Sequence, residues 1–269
     1  MSAKQLSILG LLLLNGLALW PHWLWMAQRA IDGSDDPWGI VALLTILSLV
    51  WLDKDQLYLP SNRKLVITAM FTIMATVSSG SVPPIIAAAF AVLGFAWLIS
   101  GFLPRQRPLM PLLMLAVLAL PLVASLNFYL GYPLRWFCAQ ATAQVLSIMG
   151  LMVTPQGAAL LWNGQSVLID APCAGIAMLW LGLYLAALFS YLNSSGVVRS
   201  LVNTVTAMVI VVMANVLRNA ILFYKETGIV QLPHWTHEAI GLVLFALIVP
   251  MIYCSCSVLY QKGERHESY

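Results

Sequence analysis

A thiol, a guanidinium and an imidazole stand in three polar islands of an otherwise strongly apolar chain: Asp170-Ala-Pro-Cys173-Ala-Gly175, Asn215-Val-Leu-Arg218-Asn219 and His234-Trp-Thr-His237-Glu238-Ala-Ile-Gly241. A thiol attacks a carbonyl as its thiolate, and a nearby cation, an imidazole or a helix N-terminus each favour that form. Cys173 is the candidate nucleophile. Arg218, costly at membrane depth and unable to shed its charge, is the candidate to steady a thiolate or an oxyanion. His237 has the chemistry of a general base and acid near neutral pH, and His234, three residues earlier, is its rival. Asn215 shares a helix face with Arg218, while Gly175 and Gly241 allow another backbone, or a substrate, to come close. The bland alternatives are a cysteine buried as a small apolar residue and an arginine snorkelling from a helix end. Two histidines at i and i+3 complete no familiar ligand spacing with Glu238 and a distant cysteine, so no metal and no cofactor are expected.

The elements that must position these groups are membrane helices. Of 269 residues, 61% are hydrophobic and 9% charged, with a mean hydropathy of +0.88, too little polar text to cover a globule in water. A spanning helix needs about 20 apolar residues. Apolar runs near 5–25, 38–52, 65–82, 84–103, 109–128, 174–193, 200–217 and 239–259 predict an all-α integral membrane protein of about eight transmembrane helices, with a re-entrant or interfacial helix near 141–156. The first run follows Lys4 without a convincing cleavage site and reads as a retained anchor.

Basic residues mark the cytoplasmic side of short loops. Lys4, Lys54, Arg63, Lys64, Arg105, Arg107, Arg199, Lys262 and Arg265 agree on one side, which leaves both termini cytoplasmic and all three polar islands at the outer face. The composition changes near residue 129, dividing the chain into an N-terminal transmembrane scaffold, 1–128, and a transmembrane catalytic half, 129–269. The net charge of +3 is spread over these orientation signals, which argues against a nucleic-acid partner; membrane lipids are the expected surroundings. Cys138, Cys173, Cys254 and Cys256 form neither a CxxC pair nor a disulfide framework. The acidic loop Ile31–Trp38, with Asp32, Asp35 and Asp36, lies on the catalytic side, where it either receives substrate or is a solvated turn.

Cys173-Ala-Gly175, Asn215-Val-Leu-Arg218 and His237-Glu-Ala-Ile-Gly241 resemble, in that order, the C-[SA]-G, N-x-x-R and H-x-x-x-G motifs of the exosortase/archaeosortase family. The resemblance covers roughly residues 129–260. It implies a cysteine protease or transpeptidase of the bacterial inner membrane. Its substrates would be exported proteins whose C-terminal sorting signal joins a short motif such as Pro-Glu-Pro to a transmembrane helix and a basic tail. Cys173 would form a thioester, resolved by water or by an acceptor on lipid or glycan. Two other classes compete. A non-enzymatic scaffold or assembly factor of a secretion pathway would keep its function without Cys173. A transporter would place polar residues in mid-span, which the first five runs lack.

Overall fold

The computed structural model describes residues 3–31, 33, 37–231, 233 and 235–267. His234 and the acidic residues Asp32, Asp35 and Asp36 lie outside the described residues.

The chain divides into two compact units, residues 1–124 with 190–200, and residues 125–189 with 201–269. The first unit holds α1 (Ala3–Ala18), α2 (Trp20–Ile31), α3 (Trp38–Leu52), α4 (Asn62–Ser78), α5 (Pro84–Phe102) and α6 (Leu109–Leu118). Pro84 opens α5 in the first helical turn, where its missing N–H costs nothing. α5 is the core of this unit: Ala87, Ala88, Ala91, Val92 and Ala96 are almost fully buried, small residues that let the neighbouring helices approach closely. At one end a bidentate ion pair joins Arg107 to Asp53 at 2.6 and 2.8 Å, and raises the affinity of the guanidinium for its proton above the ordinary value.

The second unit carries the chemistry-bearing residues. It holds α7 (Val123–Ile148), strands β1 (Thr154–Gln156), β2 (Ala159–Trp162) and β3 (Gln165–Leu168), a 3-10 turn (Ala171–Ala174), and most of α8 (Ile176–Leu192), α9 (Val197–Glu226) and α10 (Thr236–Glu267). α8, α9 and α10 pack through Leu179, Ala186, Ala207, Val211, Ile248 and Ile252. Their outer faces leave large apolar side chains exposed, among them Val205, Met213, Leu242 and Leu247, as lipid-facing helices do.

One sequence expectation is corrected and another is met in part. There is no separate helix over 141–156: residues 141–148 end α7, Gly150 turns with a φ of +91°, and the chain enters a three-stranded antiparallel sheet in the order β1-β2-β3. The second hairpin is built on Asn163-Gly164, both at positive φ, the pair that a tight two-residue hairpin turn demands. The apolar runs also do not each give one straight crossing. Among the described residues, by length and composition, three helices can span a membrane, Pro84–Phe102, Val197–Glu226 and Thr236–Ser257, and up to five if each of two bent pairs counts once. α1 and α2 meet at 70°, where Pro21 cannot donate to the preceding turn, and a second break falls around Pro121, between α6 and α7. Trp38–Leu52 and Ile176–Leu192 are shorter apolar helices.

Candidate active site

Cys173 stands in the 3-10 turn ahead of α8 rather than on the helix itself, which begins at Ile176. Gly175, at a φ of +82°, swings the chain from that turn into α8. The turn is fastened from α9. Asn215 and Asn219, one helical turn apart and both buried, donate from Nδ2 to the Cys173 carbonyl oxygen at 3.0 and 3.3 Å. Asn215 Nδ2 also lies 3.3 Å from the Sγ of buried Cys138 on α7, so three elements meet behind the thiol.

α9 runs two turns past Arg218 to Glu226, and α10 opens at Thr236, so Arg218 and His237 face each other. Arg218 Nη2 lies 3.4 Å and Cys173 Sγ 3.9 Å from the same atom, His237 Nε2. A guanidinium has only donors. Its contact with Nε2 is attractive in the tautomer that carries the imidazole proton on Nδ1, and in that tautomer Nε2 can accept the proton of Sγ. Gly241 lies one turn further along α10, where a Cβ would stand 3.6 to 3.8 Å from the Arg218 guanidinium, ordinary contact distance. Close approach is present there, but an alanine would fit.

The electrostatics weigh against a thiolate at rest. Cys173 is 8% exposed, and burial pushes its thiol above the usual range. The positive charge of Arg218 opposes that shift, and Asp170 and Glu226 add to it. Burial outweighs the cation because the removal of water penalises the thiolate directly. The thiol is thus protonated near neutral pH and needs a base to become a nucleophile. Alkylation of Cys173 by iodoacetamide, read by mass spectrometry on the peptide that carries it, is expected to accelerate about tenfold per pH unit between about pH 7 and 9. Arg218→Gln should slow it at any one pH. A rate flat across that range would show a thiolate already formed.

The group opens into a cleft of about 410 Å³ lined by Ser166, Val167, Leu168 and Asp170 on one side and by Asn219, Phe223, Glu226 and His237 on the other. Among the described residues no cluster of three or more His, Cys, Asp or Glu side chains could hold a metal ion. Cys138 packs in the apolar core of this unit, and its sulfur also sits on Asn215, a contact that no spacing in the sequence signals. Asn219, in the same polar island as Arg218, bonds instead to the Cys173 carbonyl.

No curated protein and no solved structure matches the chain. A family model described as transmembrane exosortase does match, over residues 25–254, a range that holds Cys173, Arg218 and His237. On that match, which covers most of its length, the chain belongs to the transmembrane exosortase family.

Proposed function

We propose that the chain is a membrane-embedded cysteine transpeptidase that cleaves a C-terminal sorting signal of exported proteins through a thioester on Cys173. Its family processes sorting signals at membranes, in general as cysteine peptidases and transpeptidases. The observation that carries the finer reading is the meeting of Cys173 Sγ and Arg218 Nη2 at one atom, His237 Nε2.

In this reading His237 Nε2 takes the proton of Sγ as the thiolate attacks the scissile carbonyl. The new imidazolium repels Arg218, whose guanidinium turns to the oxyanion that forms beside it. His237 returns its proton to the leaving amine as the C–N bond breaks, leaving an acyl thioester. Water or another nucleophile then gives up a proton to His237, attacks the thioester and releases Cys173.

The catalytic half is 129–269 and the scaffold 1–128. Eight crossings of the bacterial inner membrane, with both termini cytoplasmic, would set the cleft at the outer face, a placement that the basic residues support. The decisive test is trapping. Co-expression with a tripartite substrate, followed by non-reducing analysis at mildly acidic pH, should yield a hydroxylamine-sensitive adduct that is lost in Cys173→Ala. If no adduct forms with several substrates while Cys173→Ala keeps full biological activity, the non-enzymatic scaffold is the better reading.

A further inference from the structure

The three-stranded sheet brings to the cleft something that its side chains do not explain. Residues 166 to 170 line the cavity in an unbroken run that leads to Cys173. Side chains alternate between the faces of a strand, so consecutive residues reach one cavity only when the strand turns its edge to it. β3 is an edge strand in this sheet.

The register says which backbone groups that edge offers. Trp162 pairs with Gln165 across the two-residue turn, then Leu161 with Ser166, Leu160 with Val167 and Ala159 with Leu168. The pair that closes such a turn is hydrogen-bonded, and bonded and non-bonded pairs alternate from there. Gln165 and Val167 therefore bond inward to β2, as Ile169 does through its N–H to Ala158 O at 2.9 Å. Ser166 and Leu168 point their N–H and C=O groups outward. The far side of the sheet is treated differently. Gln156 pairs with Ala159 across the first turn, so Pro155 falls in a non-bonded pair and its missing N–H faces outward. Proline blunts an edge against pairing. β3 has no proline and no charge: Gln165-Ser166-Val167-Leu168 is a receptive edge beside the nucleophile.

We propose that the cleft holds its substrate as an extended peptide that adds a strand to β3, bonded to the N–H and C=O groups of Ser166 and Leu168 and led by Asp170 to Cys173. This deepens the transpeptidase reading and rests on it. Pairing of this kind takes its affinity from the main chain. The cleft therefore requires an unfolded segment around the scissile bond, and a helical segment cannot supply the bonds.

Binding is measured on the Cys173→Ala protein in nanodiscs, so that it does not depend on turnover. The probe is a fluorescent synthetic peptide with the Pro-Glu-Pro motif and the residues that follow it. Ser166→Pro and Leu168→Pro each delete an outward N–H without breaking the ladder to β2, and each should weaken binding about three- to tenfold. In the Cys173-bearing protein both should leave iodoacetamide alkylation of the thiol unchanged, which shows an intact site. Single N-methyl groups moved along the non-proline positions of the peptide should weaken binding at every second residue, the signature of a strand. Equal binding by both proline variants, or no alternation along the peptide, overturns the inference even where the wild type forms a thioester. Edge-dependent binding in a protein that never forms a thioester upholds the inference and sinks the transpeptidase reading instead.

Discussion

Replacing His237 by alanine is expected to lower cleavage of a sorting-signal substrate by roughly four to six orders of magnitude, close to the loss of Cys173 itself. The size follows from the site. Burial keeps the Cys173 thiol protonated near neutral pH, so no attack begins until a base takes its proton, and Nε2 at 3.9 Å is positioned to do so. The same nitrogen must protonate the leaving amine, an event that high pH makes harder rather than easier. Raising the pH should therefore restore alkylation of Cys173 in His237→Ala without restoring cleavage. That split separates a true acid–base residue from one that only lowers the barrier to ionisation. Alanine at His234 is the companion measurement: a comparable loss there, with activity kept in His237→Ala, would transfer the role to His234.

The three candidate residues were legible in the sequence because polar groups are expensive in a membrane chain, so each island at the end of an apolar run calls for an explanation. Their meeting at one ring nitrogen was not, since spacing along helices does not fix how helix ends face one another. The extended elements were hidden for a different reason. Residues 154–168 form strands too short to set a clear period and lie between strong apolar runs, so the Asn163-Gly164 turn is the one local mark of a hairpin there. The bends in the apolar runs were hidden by the same emphasis. Hydropathy measures how apolar a run is and not whether it is straight, so the breaks near Pro21 and Pro121 were read through. Asn215 was singled out as a partner of Arg218. Its hydrogen bonds run instead to the Cys173 carbonyl and the Cys138 sulfur, because an i, i+3 neighbour on a buried face is as free to hold a facing element as its own helix.

That clamp makes Gly175→Ala the most damaging of the small substitutions, with an expected loss of about 2–4 kcal/mol of stability and about a hundredfold of activity. Two costs combine. An L-residue at a φ of +82° and ψ of 13° is in the left-handed region, where a Cβ is strained by about 1–2 kcal/mol. The added Cβ would also stand 2.7 to 2.9 Å from the Cγ, Nδ2 and Oδ1 of Asn215, distances at which something must move. Asn215 is 2% exposed and tied to two other elements, so it cannot swing aside as a surface side chain would. Either the clamp opens or the 3-10 turn shifts, and both carry Cys173 away from Nε2. Thermal unfolding and cleavage should be measured on Gly175→Ala, on Asn215→Ala and on the double variant. Removing the asparagine relieves the collision but not the backbone strain. The double variant should therefore be more stable than the sum of the single losses predicts, by roughly 1–2 kcal/mol, while activity stays low because nothing then holds the cysteine turn from Asn215. Strict additivity would mean that the two residues do not press on each other, and that strain at Gly175 alone shapes the turn.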